Sequence, residues 1–143
     1  MIESNVGILV VEDFDALRRL IFHKLQNELH LHNILGAADG EEGARLAEEL
    51  QPDLVILDVG LPKLNGLQVA ERIRQYAPKT RILFVSQESS EEIIEEAFRV
   101  GATGYVLKID MEPELVTAVT KALRGERYLS RSLASCEPMS FLR

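Results

Sequence analysis

Three carboxylates, a hydroxyl and a lysine stand where one site could collect them: Glu12, Asp13, Asp58, Ser86 and Lys108. Each group follows a short apolar run: Gly7 to Val11, Leu54 to Leu57, Ile82 to Val85, and Tyr105 to Leu107. Acids gathered on one rim repel one another unless a positive charge sits among them. A hard divalent cation such as Mg2+, taking oxygen ligands and keeping several waters, suits that place. Lys108 adds a mobile point charge and Ser86 a short donor. A phosphoryl group needs this set, because its transfer depends on positioning and on neutralising charge over its oxygens. A carboxylate can also be the nucleophile, forming an acyl phosphate. Taken singly, each residue also reads as a loop acid, a cap or a surface lysine. The reading rests on all five closing strands on the same rim.

The elements that must position them alternate regularly. The four runs above, with Ile34 to Ala37, are apolar at most positions, as in strands of a parallel sheet covered on both faces. Amphipathic stretches lie between them. Leu17, Leu20, Ile21, Leu25 and Leu29 stripe the first helix. Asp39 and Glu42 cap the second, which turns Ala44, Ala47 and Leu50 inward. Leu67, Ala70 and Ile73 mark the third. Ser89 with Glu92 forms a capping box for the fourth, which stops at Gly101. Pro113 suits the first turn of the fifth, which ends at Gly125. The order predicts an α/β fold: one doubly wound (βα)5 domain with a five-stranded parallel sheet. In such a sheet, function gathers at the carboxyl ends of the strands.

The chain has 143 residues, with 16 basic and 23 acidic side chains and a net charge of −7. That length suits one domain. The acidic balance argues against this chain alone gripping nucleic acid. No apolar stretch reaches the ~18 residues of a membrane span. The N-terminus carries acids where a signal peptide needs bases, so the expectation is a cytoplasmic protein. One cysteine, Cys136, excludes an intrachain disulfide framework and a thiolate zinc cluster. His30 and His32, with His23 nearby, lack an evident third ligand and read as surface histidines.

Four pieces in order resemble the receiver domains of two-component response regulators, which are CheY-like: Val10-Val11-Glu12-Asp13, Leu57 to Pro62 with Asn65-Gly66, Val85-Ser86, and Gly104 to Lys108. The resemblance covers roughly residues 6 to 125 and implies the flavodoxin-like strand order 2-1-3-4-5. It also implies a role for each residue. Asp58 is the phosphoacceptor. Glu12, Asp13 and Asp58, with the backbone carbonyl of Gly60, hold Mg2+. Lys108 and Ser86 bind the phosphoryl oxygens. Tyr105 is the aromatic switch, turning inward as Ser86 moves. Gln87, where the family usually has a small residue, and Glu88 tune access and phosphoryl lifetime. The implied partner is a sensor histidine kinase or phosphotransfer protein, and a homodimer stays open.

Within the family the likeness is to NarL/FixJ-type (LuxR-type) regulators, through Lys108-Ile109, the run from Gly101 to Leu115, and Gly125-Glu-Arg-Tyr-Leu-Ser. The expected division is a receiver over 1–127 and a tail or start of a linker over 128–143. Regulators of this type continue into a helix-turn-helix DNA-binding domain, for which the tail has no helix pair. Two readings follow: a receiver that belongs to a longer transcriptional regulator, or a stand-alone interaction or phosphorelay module. A third, a Mg2+-dependent phosphohydrolase with an Asp nucleophile, would call for a second acid where Gly60 stands. The expectation is therefore a switch whose only chemistry is on its own Asp58, not a turnover enzyme.

Overall fold

A computed structural model of the protein describes residues 5–136. Its sheet has the order β2-β1-β3-β4-β5-β6, with every neighbouring pair parallel. The strands are β1 (Gly7–Val11), β2 (Asn33–Ala37), β3 (Leu54–Leu57), β4 (Arg81–Ser86), β5 (Gly104–Leu107) and β6 (Tyr128–Leu129). The helices are α1 (Asp15–Leu29), α2 (Gly40–Leu50), α3 (Gly66–Tyr76), α4 (Glu91–Arg99) and α5 (Met111–Leu123). Short 3-10 segments follow at Lys108–Asp110 and Arg131–Cys136.

β1, β3 and β4 are apolar at successive positions because both faces of the sheet are covered. Leu9, Val55, Leu57 and Phe84 join Ala47, Val69, Ile73 and Ala97 on the α2–α3–α4 side. Ile8, Val10, Ile56 and Val85 join Leu25, Leu115 and Val119 on the α1–α5 side. Burying each such large side chain contributes about 1.5–3 kcal/mol. The α1 stripe is narrower than its sequence suggests, since Leu20 is exposed. Its place in the interface goes partly to Lys24, whose ammonium meets Glu112 at 2.9 Å and Glu28 at 3.2 Å and ties α1 to α5.

The sequence predicts five strands, and the sheet has six. Tyr128 pairs with Gly104 and Leu129 with Tyr105. Two residues are too few to show a period, and the pairing depends on a small residue opposite. A Cβ on Gly104 would lie 3.1 Å from the carbonyl oxygen of Tyr128. Caps differ too. The α4 N-cap is Ser90, whose hydroxyl accepts from the amide of Ile93, one residue beyond the predicted Ser89. At α3, Asn65 and Gln68 form a reciprocal capping box. Residues 1–4 and 137–143, and the side chain of Cys136, lie outside the described residues.

Candidate functional site

The sheet's hydrogen-bond ladder continues one step past the strands into the acids. The amide of Glu12 donates to the carbonyl of Ala37 at 3.0 Å, and that of Asp58 to the carbonyl of Val11 at 3.2 Å. This fixes two carboxylates side by side on the carboxyl rim. Oxygens of Glu12, Asp13 and Asp58 come within 4.8 Å of one another, the one such cluster among the described residues. The histidines form no second group there. Glu12 and Asp58 are buried and Asp13 is exposed, so the cluster opens to solvent on one side.

Lys108, just after β5, reaches across this gap. Its ammonium lies 3.0 Å from Asp58 Oδ2 and 3.0 Å from Glu12 Oε1. Burial alone would lower its pKa, but hydrogen bonds to Asp58 and Glu12 outweigh that and hold the ammonium above the usual lysine range. Burial raises the Glu12 carboxyl above the usual carboxylate range, although the Phe14 amide and Lys108 favour its charged form. Asp58 Oδ1 accepts from the amide of Gly60 at 3.3 Å. One cation thus faces three acids. The excess negative charge, all on hard oxygens, fits a divalent cation, and Asp13 is the solvent-facing member of the group that could hold one.

A shallow depression of about 240 Å³ is lined by Glu12, Asp13, Phe14, Asp58, Gly60, Ser86, Gln87, Glu88 and Lys108. It unites eight of the nine residues expected from sequence. The ninth, Tyr105, lies beneath, fully buried and stacked on Phe84 with ring centroids 5.8 Å apart. Its hydroxyl donates to the carbonyl of Glu88 at 2.7 Å, and burial holds its pKa far above the usual tyrosine value. Ser86 Oγ accepts from the amide of Glu88 at 3.2 Å. Ser86 acts as an acceptor toward that amide, and its hydroxyl, which also neighbours that of Tyr105, lines the depression.

The sequence reading missed three contributors. Phe14 lines the rim with an exposed ring, and its amide donates to Glu12 Oε2 at 2.8 Å. Arg18 donates to the Glu12 carbonyl at 2.7 Å. Gly66 lets α3 start against the phosphoacceptor candidate: a Cβ there would sit 2.0 Å from the Asp58 carbonyl oxygen. The Asn65-Gly66 pair was the available signal, joining a capping residue to one without a side chain.

The model of the response regulator receiver domain matches residues 8–120. The nitrate/nitrite response regulator protein NarL of Escherichia coli (strain K12) is 38% identical over 132 residues, covering 92% of this chain and 61% of the relative. The chain therefore spans about three fifths of that relative's length. Among solved structures, a LuxR-family two-component response regulator from Aurantimonas sp. SI85-9A1 superposes with a TM-score of 0.86. It is 32% identical, over 92% of this chain and 94% of the other. The Vibrio cholerae chemotaxis protein CheY4 superposes with a TM-score of 0.74 at 28% identity, over 83% and 99% of the two chains.

Proposed function

Since this chain belongs to the response regulator receiver domain family, we propose that it is a switch thrown by phosphorylation of Asp58. The observation that carries this is the shared ammonium of Lys108, 3.0 Å from both Asp58 and Glu12. It marks a rim where a nucleophilic carboxylate, a mobile cation and the Ser86 hydroxyl face the same space.

An oxygen of Asp58 attacks the phosphorus of a phosphohistidine on a sensor kinase or phosphotransfer protein. The new P–O bond forms as the P–N bond breaks, and its electron pair leaves on the donor imidazole. Lys108 then exchanges its contact with the Asp58 carboxylate for one with a phosphoryl oxygen, and Ser86 donates to another. Glu12, Asp13, Asp58 and the Gly60 carbonyl would hold Mg2+, which neutralises charge on the phosphoryl oxygens when bound. Tyr105 follows Ser86 through the Ser86–Glu88 loop and biases a two-state output surface. Gln87 and Glu88, on the same loop, set access of water. A Gln87→Ala variant is expected to lose its phosphoryl group faster in a chase assay, and an unchanged rate removes that role.

The receiver unit extends past the expected boundary at 127, because Tyr128–Leu129 pairs with β5 and Ser130 and Leu133 are buried, and the linker begins after that segment. The output is transcriptional, through a DNA-binding region joined to this receiver, and acts in the cytoplasm. Among the described residues no helix is long and apolar enough to cross a membrane. The test is incubation with acetyl phosphate and Mg2+, then mass spectrometry. One added phosphoryl mass, absent in Asp58→Ala, supports the switch; no adduct refutes it. Sustained hydrolysis of p-nitrophenyl phosphate would favour a phosphohydrolase instead.

A further inference from the structure

After α5 the chain returns to the sheet and closes on the strand that carries Tyr105 and precedes Lys108. Ser130 is fully buried. Its amide donates to the carbonyl of Tyr105 at 3.0 Å, and its Oγ accepts from the amide of Leu107 at 3.0 Å. Two residues on, Ser132 donates to the buried Asp110 carboxylate twice, from its amide at 2.9 Å and from its hydroxyl at 2.7 Å. The amide of Arg131 donates to both Glu114 oxygens at 3.1 Å, and the Tyr128 hydroxyl donates to the same carboxylate. Leu133 is buried in the core with Tyr105 and Leu107.

Lys108 therefore lies between two points that this segment holds: the Leu107 amide before it and the Asp110 carboxylate after it. We propose that Tyr128–Leu133 is a clamp that positions Lys108 and keeps Tyr105 buried, so that docking of the segment and occupation of the phosphoryl site favour each other. The proposal rests on Asp58 being the phosphoacceptor. Its physical basis is geometric. The Lys108 ammonium is shared between two carboxylates, and small displacements of a positioned charge forfeit much of its effect. The clamp adds no ligand to the metal cluster, so its influence passes through Lys108 and Tyr105. Coupling of this kind is reciprocal: an occupied site must strengthen docking by the factor by which docking strengthens occupation. Ser130 and Ser132 are positioning residues, touching neither Asp58 nor the acids around it.

The test uses the full chain and calorimetric titration with two probes, Mg2+ alone and beryllofluoride in the presence of Mg2+ as a phosphoryl mimic. Ser132→Ala removes one side-chain bond at an exposed residue and keeps the fold. It is expected to weaken beryllofluoride binding about 3–10-fold, the worth of one net hydrogen bond, with no loss of Mg2+ affinity. Ser132→Thr, which keeps the hydroxyl, is expected to restore wild-type binding. Beryllofluoride is also expected to slow hydrogen exchange at the amides of Leu107 and Ser132. Unchanged beryllofluoride binding in Ser132→Ala, or a parallel loss for both probes, overturns the clamp. A wild-type chain that binds no beryllofluoride overturns the Asp58 reading as well, which separates the two failures.

Discussion

The carbonyl of Glu88 accepts the Tyr105 hydroxyl at 2.7 Å, while the amide of the same residue donates to Ser86 Oγ at 3.2 Å. One peptide segment thus joins a buried ring to the hydroxyl that faces the acids. A displacement of Ser86 is felt at Tyr105 through this residue and through the neighbouring side-chain hydroxyls of Ser86 and Tyr105.

Tyr105→Phe keeps the ring on Phe84 and deletes only the hydroxyl. It is expected to cost about 1 kcal/mol in urea denaturation, the usual net worth of one hydrogen bond. It should also uncouple the β4–α4 loop, seen as equal loop hydrogen exchange with and without beryllofluoride. A loop that still responds fully would assign the coupling elsewhere.

Mg2+ is expected to stabilise the chain by mass action, by about 1.4 kcal/mol at ten times its dissociation constant. Asp13→Asn removes the exposed ligand of the cluster. Calorimetry should show a somewhat higher thermal midpoint without the metal, because one of three mutually repelling charges is gone, and a Mg2+-induced rise that is largely abolished. A full rise in the variant would mean that the ion sits elsewhere.

Gly66→Ala places a Cβ into the Asp58 carbonyl, and relief requires moving either α3 or the end of β3. The expected destabilisation is about 1–3 kcal/mol, as for other overpacked positions. Acetyl phosphate labelling should slow beyond what the residual unfolded fraction explains. Wild-type stability and labelling together would show that the helix start can shift freely.

Asp110 sets an acid-side dependence. Burial pushes its carboxyl upward, but bonds from Ser132 and Ser130, with the charge of Arg131, outweigh burial and hold it below the usual range. A lowered folded value means that the contribution is complete above the unfolded pKa of ~3.9 and disappears as pH falls through the folded value. Asp110→Asn should therefore be less stable than wild type near neutrality, with the gap closing below about pH 4. A gap that stays constant to low pH would show that the carboxylate charge contributes nothing.

The five main strands and the acidic rim are readable in the sequence for one reason: buried parallel strands are apolar at nearly every position, so the first polar residue after each marks the rim. Glu12, Asp58 and Lys108 stand out by that contrast alone. The missed features lack it. Tyr128–Leu129 becomes a strand only because Gly104 leaves room beside β5. Lys24 occupies a helix interface through carboxylates on two helices, one of them 88 residues away in Glu112. Ser90 rather than Ser89 caps α4, a choice between adjacent serines that backbone geometry makes.

The ladder bonds from Glu12 to Ala37 and from Asp58 to Val11 have a consequence for how the protein fails. Because the acids are the last rungs of the central strands, their spacing is a by-product of strand register. A slip of one residue between β1 and β3 would displace Asp58 by about 3.3 Å and turn its side chain to the opposite face. A misregistered or partly melted sheet thus has no weakened version of this site. Any copy able to accept the signal has already completed the centre of its fold, so the sheet proofreads the switch before it can be used.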